Sequence, residues 1–101
     1  MEHALVDAQR ATYSLKLFVT GMTPLSERAI VNVKRLCTEH LAGRYQLEVI
    51  DLYQHPQQAE DERIVATPTL IKKSPQPERR VVGDLSDSQQ VLMGLGLKTK
   101  R

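Results

Sequence analysis

In the stretch SLKLFVT, Leu15, Leu17 and Val19 alternate with Ser14, Lys16 and Phe18. A period of two predicts a strand over 14–20. Gly21 breaks the pattern. Thr23 then offers a side-chain oxygen to the first turn of a helix, and Pro24 suits the first helical position, where a missing N–H is no loss. From there the period changes. Ala29, Ile30, Val33, Leu36, Cys37 and Leu41 recur at three- and four-residue steps, which is the buried stripe of an amphipathic helix. Arg28, Asn32, Arg35 and Glu39 fall on its wetter side, and Gly43 is placed as its C′ stop.

The alternation returns in YQLEVIDLY, predicting a second strand over 45–53, with Tyr45, Leu47 and Val49 facing one way and Gln46, Glu48 and Ile50 the other. His55-Pro56 opens a short helix over 56–64, with Arg63 near its C-terminal end, where positive charge is favoured. TLIKK (69–73) reads as a third strand, SPQPE as a turn and RRVVG (79–83) as an antiparallel fourth strand. Ser86 and Gln89 form a capping box for a last helix whose apolar face is Val91, Leu92 and Leu95. Gly94 and Gly96 weaken that helix, each by about 1 kcal/mol relative to alanine. The order is β-α-β-α-β-β-α, a single α/β domain arranged like the thioredoxin fold. Its first β-α-β unit is expected to be parallel with a right-handed crossover. Its expected extent is 12–97, with a loosely held leader at 1–11 and a basic tail at 98–101.

Charge narrows the function classes. Of the 14 Lys and Arg residues, Lys98, Lys100 and Arg101 lie in the tail, leaving 11 against 12 acidic residues in the body. A body near neutral argues against a nucleic-acid binder built on a basic face. Tyr13, Phe18, Tyr45 and Tyr53 are too few for a base-stacking platform. A single cysteine, Cys37, allows no internal disulfide and suits a reducing, cytoplasmic setting. No apolar run is long enough to span a membrane, and the first residues lack the apolar core of a signal peptide.

The candidate chemistry is thiol exchange, and the sequence argues against it. In thioredoxin-like proteins a Cys-x-x-Cys pair sits at the start of the first helix, where the helix N-terminus lowers thiol pKa, and faces a cis-proline at the third strand. Thr67-Pro68 supplies the proline, and a cis peptide is expected there; Met22-Thr23-Pro24-Leu25 stands where the thiols would be. Cys37 lies on the apolar stripe of the helix and reads as a small core residue. His3, His40 and His55 lack ligand spacing. Glu60-Asp61-Glu62 reads as a solvated face, so neither metal nor cofactor is expected.

Three blocks, LKLFVTGMTPLSERAI, LEVIDLYQHPQQAEDERIVATPTLIK and RRVVGDLSDSQQVLMGLGL, together resemble the KaiB family from about Tyr13 to Leu97. The resemblance implies a non-catalytic regulator that binds KaiC, a hexameric ATPase and autokinase, and alters its phosphorylation cycle in a circadian or stress-linked system. It also implies a metamorphic chain. One packing is thioredoxin-like, and the other rearranges the second half and forms tetramers. Pro68, Gly83, Gly94 and Gly96 fall in the half that would repack. Carried over by position, the partner surface is Gln46, Glu48, Glu60, Arg63, Ile64 and Val65. Tyr13, Arg28, Lys72, Arg79 and Arg80 match positions that serve oligomer contacts or regulation, or else plain strand-end and surface side chains. Gln46 and Glu48 replace small and basic residues of the clock members, and Gly96 replaces an acidic one, which argues against binding the third clock protein, KaiA. Two other readings stand beside this one: a thioredoxin-like redox protein using Cys37, and an adaptor or sensor module in two-component histidine kinase signalling.

Overall fold

The computed structural model describes residues 12–97; the leader at 1–11 and the basic tail at 98–101 lie outside the described residues. Its strands are β1 (Tyr13–Val19), β2 (Tyr45–Asp51), β3 (Thr69–Ser74) and β4 (Arg79–Val82), and its helices are α1 (Pro24–His40), α2 (Gln57–Asp61) and α3 (Ser88–Gly94). They form one sheet in the order β2-β1-β3-β4. β2 pairs parallel to β1 in unbroken register. β3 pairs antiparallel to β1, with one register shift at Ser14/Leu15, and β4 pairs antiparallel to β3. The expected order therefore stands, and the last segment is a helix, as the thioredoxin-like arrangement requires.

Each face of the sheet carries its own apolar cluster. Leu15, Leu17, Val19 and Leu70 point to the face covered by Ala29, Val33, Leu36 and Cys37 of α1 and by Val91 and Leu92 of α3. Phe18, Ile50, Leu52 and Ile71 point to the other, where Ala59 and Ile64 are the partly buried hydrophobic residues that pack on them among the described residues. Phe18, which alternation grouped with Ser14 and Lys16, is fully buried because β1 is central and covered on both sides.

Local chemistry sets the ends of the helices. Thr23 caps α1 as expected, its hydroxyl accepting from the Ser26 N–H at 3.1 Å. Leu41 is the C-cap of α1, so Gly43 falls one residue later than the expected stop. α2 is five residues long, shorter than the predicted 56–64. It stops because Arg63 turns left-handed, at φ 55°. The Arg63 N–H then donates to the Glu60 carbonyl and the Ile64 N–H to the Ala59 carbonyl, a Schellman ending that folds Ile64 back beside Ala59. Arg63 is thus the turning residue beyond the helix, not a charge in its last turn. α3 ends the same way, with Gly96 at φ 75° donating to the Met93 carbonyl and Leu97 to that of Leu92.

Gly96 is therefore the terminator of α3, where a side chain is disfavoured. Gly94 also has a positive role: a β-carbon there would stand 2.6 Å from Cγ2 of Val81, so its absence lets α3 lie against β4. The expectation that these two glycines merely weaken the helix is corrected on both counts. Gly83 donates its N–H to the Pro68 carbonyl at 3.0 Å, and the Thr67–Pro68 peptide is cis, as expected.

The N-cap of α3 is Asp87, whose carboxylate accepts from the Gln90 N–H at 3.2 Å. Ser86, expected in that role, instead donates its N–H to Asp84, and this bond holds the Asp84 carboxyl below its ordinary pKa. Asp87→Ala is expected to cost about 1 kcal/mol in denaturant unfolding and Ser86→Ala only a few tenths. The reverse ranking would place the cap at Ser86.

Candidate partner-binding surface

Ile50 packs beneath Ala59 and Ile64. Because side chains alternate along a strand, Glu48 and Gln46 project from the same face as Ile50, roughly 7 and 13 Å upstream of it. Both are exposed, and Glu48 stands beside Lys16 in the β1–β2 register. Glu60 is exposed on α2, where its carboxylate accepts from the Gln57 amide. Arg63 is exposed beyond that helix, and Val65 is 93% exposed. Gln46 and Glu48 thus lie on the sheet face that α2 covers, and Glu60, Arg63 and Val65 are exposed on that helix and the segment that follows it. Ile64 is half-buried and packs α2 against the sheet.

Charges fasten the C-terminal end of α2. The Arg80 guanidinium donates to the carbonyls of Glu62 and Arg63, at 3.0 and 3.3 Å. Lys73 pairs with Glu62 at 3.0 Å and with Glu78 at 3.4 Å, and the Glu62 hydrogen bond is the largest influence raising the Lys73 pKa. Glu62 is thus a half-buried tether and not part of a solvated acidic face, although Glu60 and Asp61 are exposed. Arg80 joins the candidate surface through this contact.

The other residues grouped with Arg80 are dispersed. Tyr13 lies under the Arg44 guanidinium, 5.8 Å from its ring centre. Arg28 is exposed on α1. Lys72, read as a strand-end side chain, is only 4% exposed. β3 is central, and Lys72 faces the helical layer between Leu15 and Arg79. Burial and the Arg79 charge both lower its pKa.

The sequence reading missed an apolar rim at the far end of the sheet. Met22 and Tyr53 are largely exposed, and the Tyr53 ring lies against Gly21. The Asp51 carboxylate accepts from both the Gly21 and Tyr53 N–H groups at 2.9 Å, binding the two loops together. A hydroxyl contact of 3.1 Å links Thr20 to Thr67. A cleft of about 220 Å³ follows, lined by Thr20, Leu52, Ile64, Val65, Ala66 and Thr67. Only the position of Met22 and Leu25, where a dithiol would stand, could have pointed to this rim.

No reactive thiol accompanies the rim. Cys37 is fully buried in the main core, and burial pushes its pKa up to about 11, the wrong direction for a nucleophile at neutral pH. Among the described residues no three His, Cys, Asp or Glu side chains are placed to hold a metal ion, and no helix is long and apolar enough to cross a membrane.

Known proteins match this arrangement. The solved N-terminal domain of Synechococcus elongatus SasA has 31% identity and a TM-score of 0.70, over 85% of each chain. Fasciola hepatica thioredoxin, at 14% identity and a TM-score of 0.67 over 94% of this chain and 88% of that one, shares the fold. The circadian clock oscillator protein KaiB of Prochlorococcus marinus is 51% identical over 90 residues, covering 89% of this chain and 83% of that protein. The circadian clock protein KaiB3 of Synechocystis is 46% identical over 83 residues, covering 82% and 81%. The KaiB domain model matches residues 16–97, and the chain belongs to the KaiB family.

Proposed function

We propose that this chain is a non-catalytic clock-type regulator that binds a KaiC-like ATPase and modulates its phosphorylation in a circadian or stress-linked timing system. The observation that carries the reading is the near-half identity to proteins named circadian clock KaiB across almost the whole described domain. The surface through Gln46, Glu48, Glu60, Arg63 and Val65 is the docking face, and Ile64 and Arg80 hold it in shape. Burial of the sole thiol supports action by contact and not by redox exchange. The reading places the protein in the cytoplasm. It includes a second, tetrameric packing of the half beyond Val65, which needs two packings within a few kcal/mol of each other.

The test is binding of the labelled chain to the KaiC-like ATPase of the same genome, followed by fluorescence anisotropy with ATP and with ADP. Saturable binding is expected. Val65→Asp and Arg63→Ala should each weaken it about tenfold or more, as hot-spot truncations do, while Lys34→Ala on the exposed side of α1 should not. Absence of a complex in every nucleotide state after long incubation would sink the reading.

A further inference from the structure

β3 and β4 bring two positive charges together on the helical side of the sheet. Lys72 and Arg79 are register partners, on the face that carries Leu15, Leu70 and the partly buried Val81. Like charges directly opposite each other destabilise a sheet. Lys72 is only 4% exposed, and a lysine is almost never buried that deeply without a paired charge. Among the described residues, neither side chain makes a salt bridge or a hydrogen bond. The neighbouring carboxylate, Glu78, is turned to Lys73 and Arg80 instead. Burial, and then the Arg79 charge, lower the Lys72 pKa, with no carboxylate acting against them.

A cleft of about 270 Å³ opens at this end of the sheet. Tyr13 at the start of β1, His40 and Arg44 at the end of α1, and Leu92, Gly96 and Leu97 of α3 and its ending line it. Arg79 borders it: Nε and Cγ lie 3.9 and 4.0 Å from where a β-carbon on Gly96 would stand. The helix ends do not account for this charge. A helix C-terminus carries about half a negative charge, and at α1 the Arg44 guanidinium already meets it, donating to the His40 carbonyl at 3.5 Å. At α3 the Leu92 and Met93 carbonyls accept from the N–H groups of Leu97 and Gly96. Lys72 and Arg79 are therefore a surplus, held at a cost to the fold. We propose that this cleft binds the phosphate group of a small ligand, with Lys72 and Arg79 as its counter-charges. Phosphate suits these donors. It carries two negative charges to set against the pair, and a guanidinium fork takes two of its oxygens at once. The His40 ring and the Tyr13 hydroxyl are further hydrogen-bonding groups on the cleft wall. The volume is at the small end for ligand pockets, which favours a compact phosphate ester or pyrophosphate over a whole nucleotide.

The site does not depend on the partner reading above, and the full chain without any partner tests it. Isothermal titration with pyrophosphate, and separately with glycerophosphate, is expected to show saturable binding, and the melting temperature should rise with ligand concentration. Tighter binding of glycerophosphate assigns the site to organic phosphate esters, and tighter binding of pyrophosphate to inorganic ones. Lys72→Met keeps an apolar stem of similar length and removes the buried charge. It should raise the melting temperature of the ligand-free protein yet weaken binding about tenfold or more. Arg79→Gln, at an exposed position, should weaken binding as much without touching the core, so the test survives a Lys72 variant that fails to fold. Lys34→Ala removes the same charge from the exposed side of α1 and should leave binding unchanged. Absence of saturable binding to both probes would overturn the proposal. So would binding indifferent to Lys72→Met and Arg79→Gln, or an equal loss in Lys34→Ala.

Discussion

Phe18→Ala is expected to lower the unfolding free energy by about 3–5 kcal/mol, the usual range for removing a buried phenylalanine. The upper half of that range is favoured by its surroundings. Phe18 is fully buried among Ile50, Leu52 and Ile71, beneath an apolar cover that, among the described residues, consists of Ala59 and Ile64. Strands Tyr45–Asp51 and Thr69–Ser74 flank it through the sheet, so they cannot close on the void, and the cover is too small to fill it. The same void loosens the footing of α2. Partner binding should fall further than stability alone dictates, because Glu60, Arg63 and Val65 ride on that helix and its end. Urea denaturation gives the stability, and circular dichroism at low denaturant shows whether the rest of the domain persists. A loss below about 1 kcal/mol would mean that the second cluster is not a core.

Gly94→Ala is expected to destabilise by about 2 kcal/mol, although alanine is the better helix former by about 1 kcal/mol. The added methyl group would stand 2.6 Å from Cγ2 of Val81, and a β-branched side chain on a strand has little freedom to move away. The cost of overpacking, typically 1–3 kcal/mol, therefore outweighs the gain in propensity. A double-mutant cycle isolates the cause. In a Val81→Ala background the clash is gone, and Gly94→Ala should become neutral or stabilising, giving a coupling of more than about 1 kcal/mol. Equal effects in the two backgrounds would show that the glycine serves something other than this contact.

Much of the fold was legible where one physical signal acted alone. Thr23, Pro24 and the Ala29–Val33–Leu36–Cys37 stripe defined α1 because cap, first-turn proline and periodicity agree. The errors lie where two signals compete or where the sheet decides. Ser86 and Asp87 are both good caps one residue apart, and Asp84 settles the choice by taking the Ser86 N–H. α2 was read too long because nothing in PQQAEDERI announces that an arginine will turn left-handed. Lys72 and Phe18 are buried by a central position that alternation within one strand cannot express. Of the candidate surface, alternation put Gln46 and Glu48 on one face of β2 with Ile50. Their grouping with Arg63 and Val65 came from family resemblance, since alternation within one strand says nothing of where α2 lies. Met22 and Tyr53 escaped because isolated apolar residues carry no sign of whether they face core or water.

The unequal cover of the two faces bears on how the molecule breathes. Among the described residues, the cluster under α1 and α3 holds fourteen buried side chains, whereas the one under α2 holds four. Opening of a protein proceeds in units, and the free energy of each unit follows the apolar contacts it gives up. α2 can therefore lift as a small unit of its own while the thicker layer keeps the sheet intact. Lifting it breaks the Lys73–Glu62 pair and the Arg80 contacts along with the Ile64 anchor, so these few bonds set the toll of that excursion. The docking face proposed above thus rests on the more thinly covered of the two layers.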